Sequence, residues 1–141
     1  MYYNFLVVKE KRMKEGAFAV KFKRLPDSEL EVMLIIWDGE RLVSTSDIMQ
    51  RIKEKKSVQL IQNSLNRLES KGYLKCEKIG RLNHYTPLIP LSEYRSQETA
   101  SFLEKFYQNS GGKLFATLIE NSSLSTADIE TIKILLEKSG D

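Results

Sequence analysis

A chain of 141 residues has room for one ordinary domain, or for a small domain with a helical appendage. Its 41% hydrophobic and 29% charged content supports a modest core and excludes a wholly disordered chain. The net charge of +3 singles out no partner, but the charge is partitioned: seven Lys/Arg against two acids over 1–25, two against six over 26–52, eight against three over 53–86, and five against eight over 92–141.

The single cysteine, Cys76, excludes an internal disulfide and cannot by itself build a thiolate metal cluster. Phe5 to Val8 is the one apolar run near the start; it is too short for a signal-peptide core and has no basic residues before it. No later run approaches a membrane span, so the expected location is the cytoplasm and no membrane partner is expected.

Residues 1–24 mix aromatics, Lys and Gly without a sustained period and read as a flexible basic arm that attracts phosphates. A second reading concerns the gene. Lys14-Glu15-Gly16 is what a translated purine-rich ribosome-binding sequence would give, which puts the native start at Val20 or nearby.

The first helix is expected to open at Pro26-Asp27, because proline is tolerated in a first turn and Asp27, Glu29 and Glu31 complement the positive end of the dipole. Leu30, Met33, Leu34 and Trp37 follow at i, i+3, i+4, i+7 as its buried face, and Asp38-Gly39 ends it. Ser44-Thr-Ser-Asp47 resembles a capping box before a second helix that turns Ile48 and Ile52 to the core.

Ser57 caps a third helix that buries Ile61, Leu65 and Leu68 and stops at Lys71-Gly72. That register leaves Gln59, Gln62, Asn63 and Asn66 on or beside the outward face. Residues 73–78 and 82–86 then flank Ile79-Gly80-Arg81 as a two-stranded hairpin, closed by Pro87. A helix, a glycine stop and a hairpin carrying clustered positive charge read as the recognition helix and wing of a winged helix-turn-helix.

Beyond Pro90 the chain is net acidic and helical. Ser92 caps a helix with Tyr94, Phe102, Leu103, Phe106 and Tyr107, and Asn109-Ser-Gly-Gly112 is expected to break it. Leu114, Phe115, Leu118 and Ile119 form a short second helix, and Ser125 with Asp128 caps a last one through Ile132, Leu135 and Leu136. Three short apolar helices bury poorly alone, and a dimer interface is the economical explanation. The expected dimerisation residues are Tyr94, Phe102, Leu103, Phe106, Leu114, Phe115, Leu118, Ile132, Leu135 and Leu136.

The fold class is thus mainly α with a small β-hairpin wing, in three segments: an arm over 1–24, a winged-helix DNA-binding domain over 25–90 and a three-helix dimerisation domain over 91–141. DNA reading needs short polar side chains for base edges and cations for phosphates. Gln59 and Gln62 fit the first need, with Ser57, Asn63 and Asn66 beside them, and Lys53, Lys55, Lys56, Arg67, Lys71, Lys75, Lys78 and Arg81 are candidates for the second, Arg81 standing at the wing tip. Solvated charged faces look the same in sequence, and a winged-helix protein-interaction module is the alternative from another class. Catalysis has little to stand on: His84 is the lone histidine and sits mid-strand, no phosphate loop or metal-spaced cluster is present, and no cofactor is expected. Cys76, among Lys75, Glu77 and Lys78, reads either as a packed strand residue or as a redox sensor.

Leu25-Pro-Asp-Ser-Glu-Leu-Glu-Val-Met33 with Trp37, Asn66-Arg-Leu-Glu-Ser-Lys-Gly-Tyr-Leu74, Glu77-Lys-Ile-Gly-Arg81, Tyr85-Thr-Pro-Leu88 and Leu124-Ser125, in this order and spacing, resemble the penicillinase repressor (BlaI/MecI/CopY) family of bacterial transcriptional repressors. The resemblance covers roughly residues 24–138. It implies a homodimer on a palindromic operator, often of genes for antibiotic resistance or metal homeostasis. The β-lactam-responsive members are cut at an Asn-Phe bond by a signalling protease; the matching place here is Thr117-Leu118, which puts that partner in doubt. The copper-responsive members end in a cysteine cluster that this chain lacks. Reference members carry basic residues at Gln59 and Gln62 and a tryptophan at Lys56, so their operator sequence does not transfer.

Overall fold

The structure, a computed structural model, describes residues 22–39 and 42–140. The arm and the proposed start at Val20 lie outside the described residues. The chain divides into two compact units, 1–97 and 98–141, and the fourth helix runs through the division.

Helix α1 spans Asp27–Asp38. Pro26 holds the N-cap with an extended backbone, φ −61° and ψ 157°, and no side chain caps it; Asp27 and Glu29 supply the negative first turn instead. Its buried stripe is Glu29, Val32, Met33 and Ile36. This corrects the expected stripe: of its members only Met33 is fully buried, Leu30 and Trp37 pack at the edge of the core, and Leu34 is 48% exposed. The physical reason is Glu29, an acid at a core position, tolerated because its Oε1 lies 2.5 Å from Lys71 Nζ.

Strand β1, Val43–Ser44, was no part of the sequence expectation. Ser44 also caps α2, Thr45–Arg51: its hydroxyl accepts from Asp47 N at 3.1 Å while its own N–H donates to Asp47 Oδ2 at 2.9 Å. Ile48 and Ile52 face the core as expected.

Helix α3, Val58–Ser70, starts at Ser57, whose hydroxyl accepts from Leu60 N at 3.2 Å. Ile61, Ser64, Leu65 and Leu68 form its buried stripe. Gly72, at φ +82°, ends it in a Schellman arrangement, with Tyr73 N–H on Leu68 O and Gly72 N–H on Glu69 O, both at 3.0 Å. Only a residue without a side chain takes that backbone angle cheaply.

Strands β2, Leu74–Ile79, and β3, Leu82–Pro87, pair antiparallel from Leu74↔Pro87 to Ile79↔Leu82. Gly80 at φ +66° and Arg81 make the two-residue turn. Strand β1 adds to the other edge of β3, Val43↔Tyr85 and Ser44↔His84, giving the sheet order β1-β3-β2. Three helices followed by a hairpin, with β1 completing the sheet, are a winged helix.

Helix α4, Leu91–Tyr107, begins one residue before the expected cap at Ser92. Tyr94 is the exception among the expected dimerisation residues: it is 3% exposed and belongs to the core of the first unit. Its ring lies 5.5 Å from Trp37 and 5.8 Å from Tyr73, and its hydroxyl accepts from Leu25 N at 3.0 Å. The Gln97 side-chain amide holds Phe22 through both backbone groups, each at 2.8 Å, and Trp37 Nε1 donates to Ile89 O at 2.8 Å. The first two turns of α4 are therefore built into the winged-helix unit, which is why the expected break at Pro90 is not where the chain divides.

In the second unit α4 ends at Gln108 and Asn109, at φ 51° and 62°. The expected break between the helices falls here and is carried by Gln108, Asn109 and Ser110; Gly111 and Gly112 already form the first turn of α5, Gly111–Glu120, where Ser110 accepts from Lys113 N at 3.1 Å. Glycine at the very start of a helix lies ahead of the repeating hydrogen bonds and interrupts none of them. Helix α6, Thr126–Ser139, starts in the expected capping box of Ser125 and Asp128. No residue from Glu98 to Gly140 is fully buried, in contrast to the first unit.

Candidate nucleic-acid interface

The outward side of α3 carries amides in two i,i+4 ladders. Gln59 Nε2 donates to Asn63 Oδ1 at 2.9 Å, and Gln62 Nε2 donates to Asn66 Oδ1 at 3.0 Å and approaches the Tyr85 hydroxyl at 3.5 Å. Each ladder consumes one N–H and one carbonyl, leaving a glutamine carbonyl and an asparagine amino group available. Tyr85 is 2% exposed and anchored in β3, so the wing strand helps orient Gln62.

Cations surround this helix in the sequence order expected. Lys53 and Lys55 stand in the loop before it, Arg67 in its last turns, and Lys78 and Arg81 on the wing, Arg81 in the turn itself. All five are exposed, and among the described residues none of them is held in an ion pair. Lys56 differs: its Nζ lies 2.8 Å from Glu31 Oε2 of α1, and the side chain is 23% exposed. Ser57 spends its hydroxyl on the helix cap. Glu29 and Glu31 of α1 thus hold the two ends of α3, one through the residue before its cap and the other through the residue that ends it.

On the wing, the Lys75 ammonium lies 2.7 Å from Glu77 and holds that carboxyl below the usual range, so the one acid of β2 is neutralised by its neighbour. Cys76 faces Tyr85 across the ladder and is half-buried. His84 pairs with Glu77 across the strands, and its Nδ1 lies 3.2 Å from Leu82 O. Among the described residues no three His, Cys, Asp or Glu side chains gather as a metal site, and no helix is long and apolar enough to cross a membrane.

Two neighbours on the recognition helix escaped the sequence reading. Val58 and Leu60, in its first turn, are 58% and 55% exposed. The signal was partial: Leu60 is apolar and off the Ile61-Leu65-Leu68 register, whereas Val58 stands three residues before Ile61 and seven before Leu65, on that register, and is exposed all the same in the first turn.

Residues 25–138 match the family model described as penicillinase repressor. The chain belongs to the penicillinase repressor family. The penicillinase repressor of Bacillus licheniformis is 33% identical over 120 residues, covering 84% of this chain and 93% of that protein. The methicillin resistance regulatory protein MecI of Staphylococcus aureus is 28% identical over 120 residues, covering 84% and 97%. The solution structure of the monomeric form of B. licheniformis BlaI in complex with the blaP half-operator shares 37% identity over 52% of this chain and 92% of that chain, with a TM-score of 0.45. As a member of a family of repressors the chain is a regulator and not an enzyme.

The residues expected for dimerisation, apart from Tyr94, lie in the second unit. Phe102, Phe106, Phe115 and Leu136 are exposed there, and Leu103, Leu114, Leu118, Ile132 and Leu135 are half-buried. The Phe102 ring lies 5.2 Å from that of Phe106 and 5.6 Å from that of Tyr107, tilted against both.

Proposed function

We propose that this penicillinase repressor family member is a DNA-binding transcriptional repressor that acts in the cytoplasm as a homodimer on a palindromic operator. The observation that carries the reading is the outward side of α3, with two amide ladders between exposed, unpaired cations on the preceding loop and on the wing. Ser57, Gln59, Gln62, Asn63 and Asn66 face base edges and nearby backbone, and Lys55, Arg67, Lys78 and Arg81 grip phosphates. Lys56 is released from Glu31 to join them or stays as a brace. Two recognition helices about one helical turn apart, roughly 10 bp, occupy successive major grooves and block a promoter. Family membership makes antibiotic-resistance or metal-homeostasis genes the targets to try first.

Nine apolar side chains of the second unit supply the dimer contact: Phe102, Leu103, Phe106, Leu114, Phe115, Leu118, Ile132, Leu135 and Leu136. The lack of any fully buried residue from Glu98 to Gly140 supports this, since a helical unit with so thin a core gains stability by covering its apolar side with a copy. Thr117-Leu118 gives no support for a signalling protease as a partner.

Gel-shift titration with the chain's own upstream DNA against random duplex, together with sedimentation, tests the reading. Tight binding of one upstream segment by a dimer is expected. Equal binding to both duplexes would overturn sequence-specific repression and favour the protein-interaction alternative.

A further inference from the structure

We propose that Val58 and Leu60 read thymine 5-methyl groups in the major groove, so that the first turn of α3 selects A·T base pairs. The inference rests on the DNA-binding reading above and names what that surface prefers.

Val58 and Leu60 are more than half exposed, and neither belongs to the core. At about 100° per residue, Val58 lies between the buried Leu65 and Gln62, at the exposed N-terminal end of the core stripe, and Leu60 lies beside Arg67 on the other side of the outward ridge. The polar ridge begun by Gln59 and Asn63 is thus flanked by methyl groups at its N-terminal end, the end that meets base edges when such a helix docks in the groove. Three base types present only hydrogen-bonding groups there, and thymine alone presents a methyl. An exposed valine and leucine gain nothing from the first three and bury apolar area against the fourth.

The amides beside them favour the same base pair. Because Gln59 donates to Asn63, the ladder offers outward one glutamine carbonyl and one asparagine amino group. That acceptor and donor complement the adenine N6 amino group and N7. One A·T pair therefore satisfies the polar ridge with its purine and the apolar border with its pyrimidine. The unpaired Lys53, Lys55, Lys78 and Arg81 favour a polyanion on this face over an apolar protein surface.

The test uses the full chain and duplexes selected by it from a random library and from its own upstream DNA. The best duplex is remade with uracil for thymine at one position at a time, which removes only the methyl. Binding is expected to weaken about fourfold per methyl at one or two positions in each half-site, the factor for losing one buried methylene-sized group. Val58→Ala or Leu60→Ala should bind thymine and uracil duplexes alike at its position, whereas Val58→Thr, which keeps one methyl, should retain the difference. Circular dichroism of each variant should match the parent, since both positions are exposed. Equal binding of thymine and uracil duplexes at every position overturns this inference and leaves the repressor reading standing. If the parent prefers no duplex over random DNA, both fall, and a protein partner lost in Val58→Ala would take their place.

Discussion

Glu29 and Lys71, 42 residues apart, form an ion pair of 2.5 Å that ties the first turn of α1 to the residue ending α3. The carboxylate is 3% exposed and the ammonium 22%, so the pair sits at the rim of the core with its acid inside. Removing one partner leaves a buried charge uncompensated, whereas replacing both removes the problem. Lys71→Ala is therefore expected to destabilise the chain by roughly 3 kcal/mol, and Glu29→Leu with Lys71→Met to recover most of that loss. Denaturant titration of the two variants measures it; a double variant no more stable than Lys71→Ala would show that the loss does not come from an uncompensated Glu29 charge.

That pair also explains where sequence reading went astray. The stripe Glu29-Val32-Met33-Ile36 obeys the same helical spacing as Leu30-Met33-Leu34-Trp37, and an acid in the first turn argues for a dipole partner rather than a core residue. Its partner, 42 residues on, is invisible to local pattern. The same holds for β1, two residues long and defined only by its pairing with Tyr85 and His84, and for Tyr94, whose place depends on Trp37, Tyr73 and Leu25. Local chemistry was legible. Ser44, Ser57, Ser125 and Gly72 announced helix ends, and Ile61, Leu65 and Leu68 fixed which side of α3 looks outward. Lys56 looked like its neighbours because a salt bridge to Glu31 leaves no trace in spacing.

The capping boxes give the chain an acid-sensitive element. Ser44 bonds to Asp47 through its backbone N–H and its hydroxyl, and Ser125 treats Asp128 alike; both carboxyls are held below the ordinary aspartate range, with Arg51 and His84 adding a smaller pull on Asp47. A carboxyl lowered on folding contributes stability at a pH above its unfolded value and loses it as pH falls through the folded value. The contribution is thus intact above about pH 5 and fades below about pH 4. Ser44→Ala should cost about 1 kcal/mol at neutral pH, the usual loss for such a cap. The gap between parent and variant should narrow on acidification, as followed by thermal melts across pH. A gap that is constant from pH 7 to pH 3 would show that the Ser44 hydroxyl contributes independently of the Asp47 carboxylate, which the Ser44 backbone N–H still holds in the variant.

Base reading and phosphate grip separate by their dependence on sequence and salt. Gln59→Ala or Gln62→Ala should cost about 1–3 kcal/mol on the selected operator and little on random duplex. Asn63→Ala should add less than its own single loss when combined with Gln59→Ala, because the two amides share a bond. Arg81→Ala should weaken binding to both duplexes and reduce the salt slope by about one. Binding isotherms at several salt concentrations measure all three. Equal losses on operator and random DNA for the glutamine variants would remove them from base reading.

Where the chain is cut should matter by a single turn or two of α4. Tyr94 and Gln97 fasten residues 22–25 to that helix, and Tyr94 fills the core between Trp37 and Tyr73. A chain ending at Gln97 keeps these contacts and should fold as a winged helix; ending at Pro90 removes a buried aromatic, a loss of about 3–5 kcal/mol by analogy with large-to-small core substitutions. Both truncations lack the exposed apolar residues beyond Glu98, so both should sediment as monomers and bind operator much more weakly than the full chain. Melting temperature separates the first expectation and sedimentation the second. Equal stability of the two truncations would remove α4 from the winged-helix unit, and a dimeric 1–97 fragment would move the dimer contact out of the C-terminal helices.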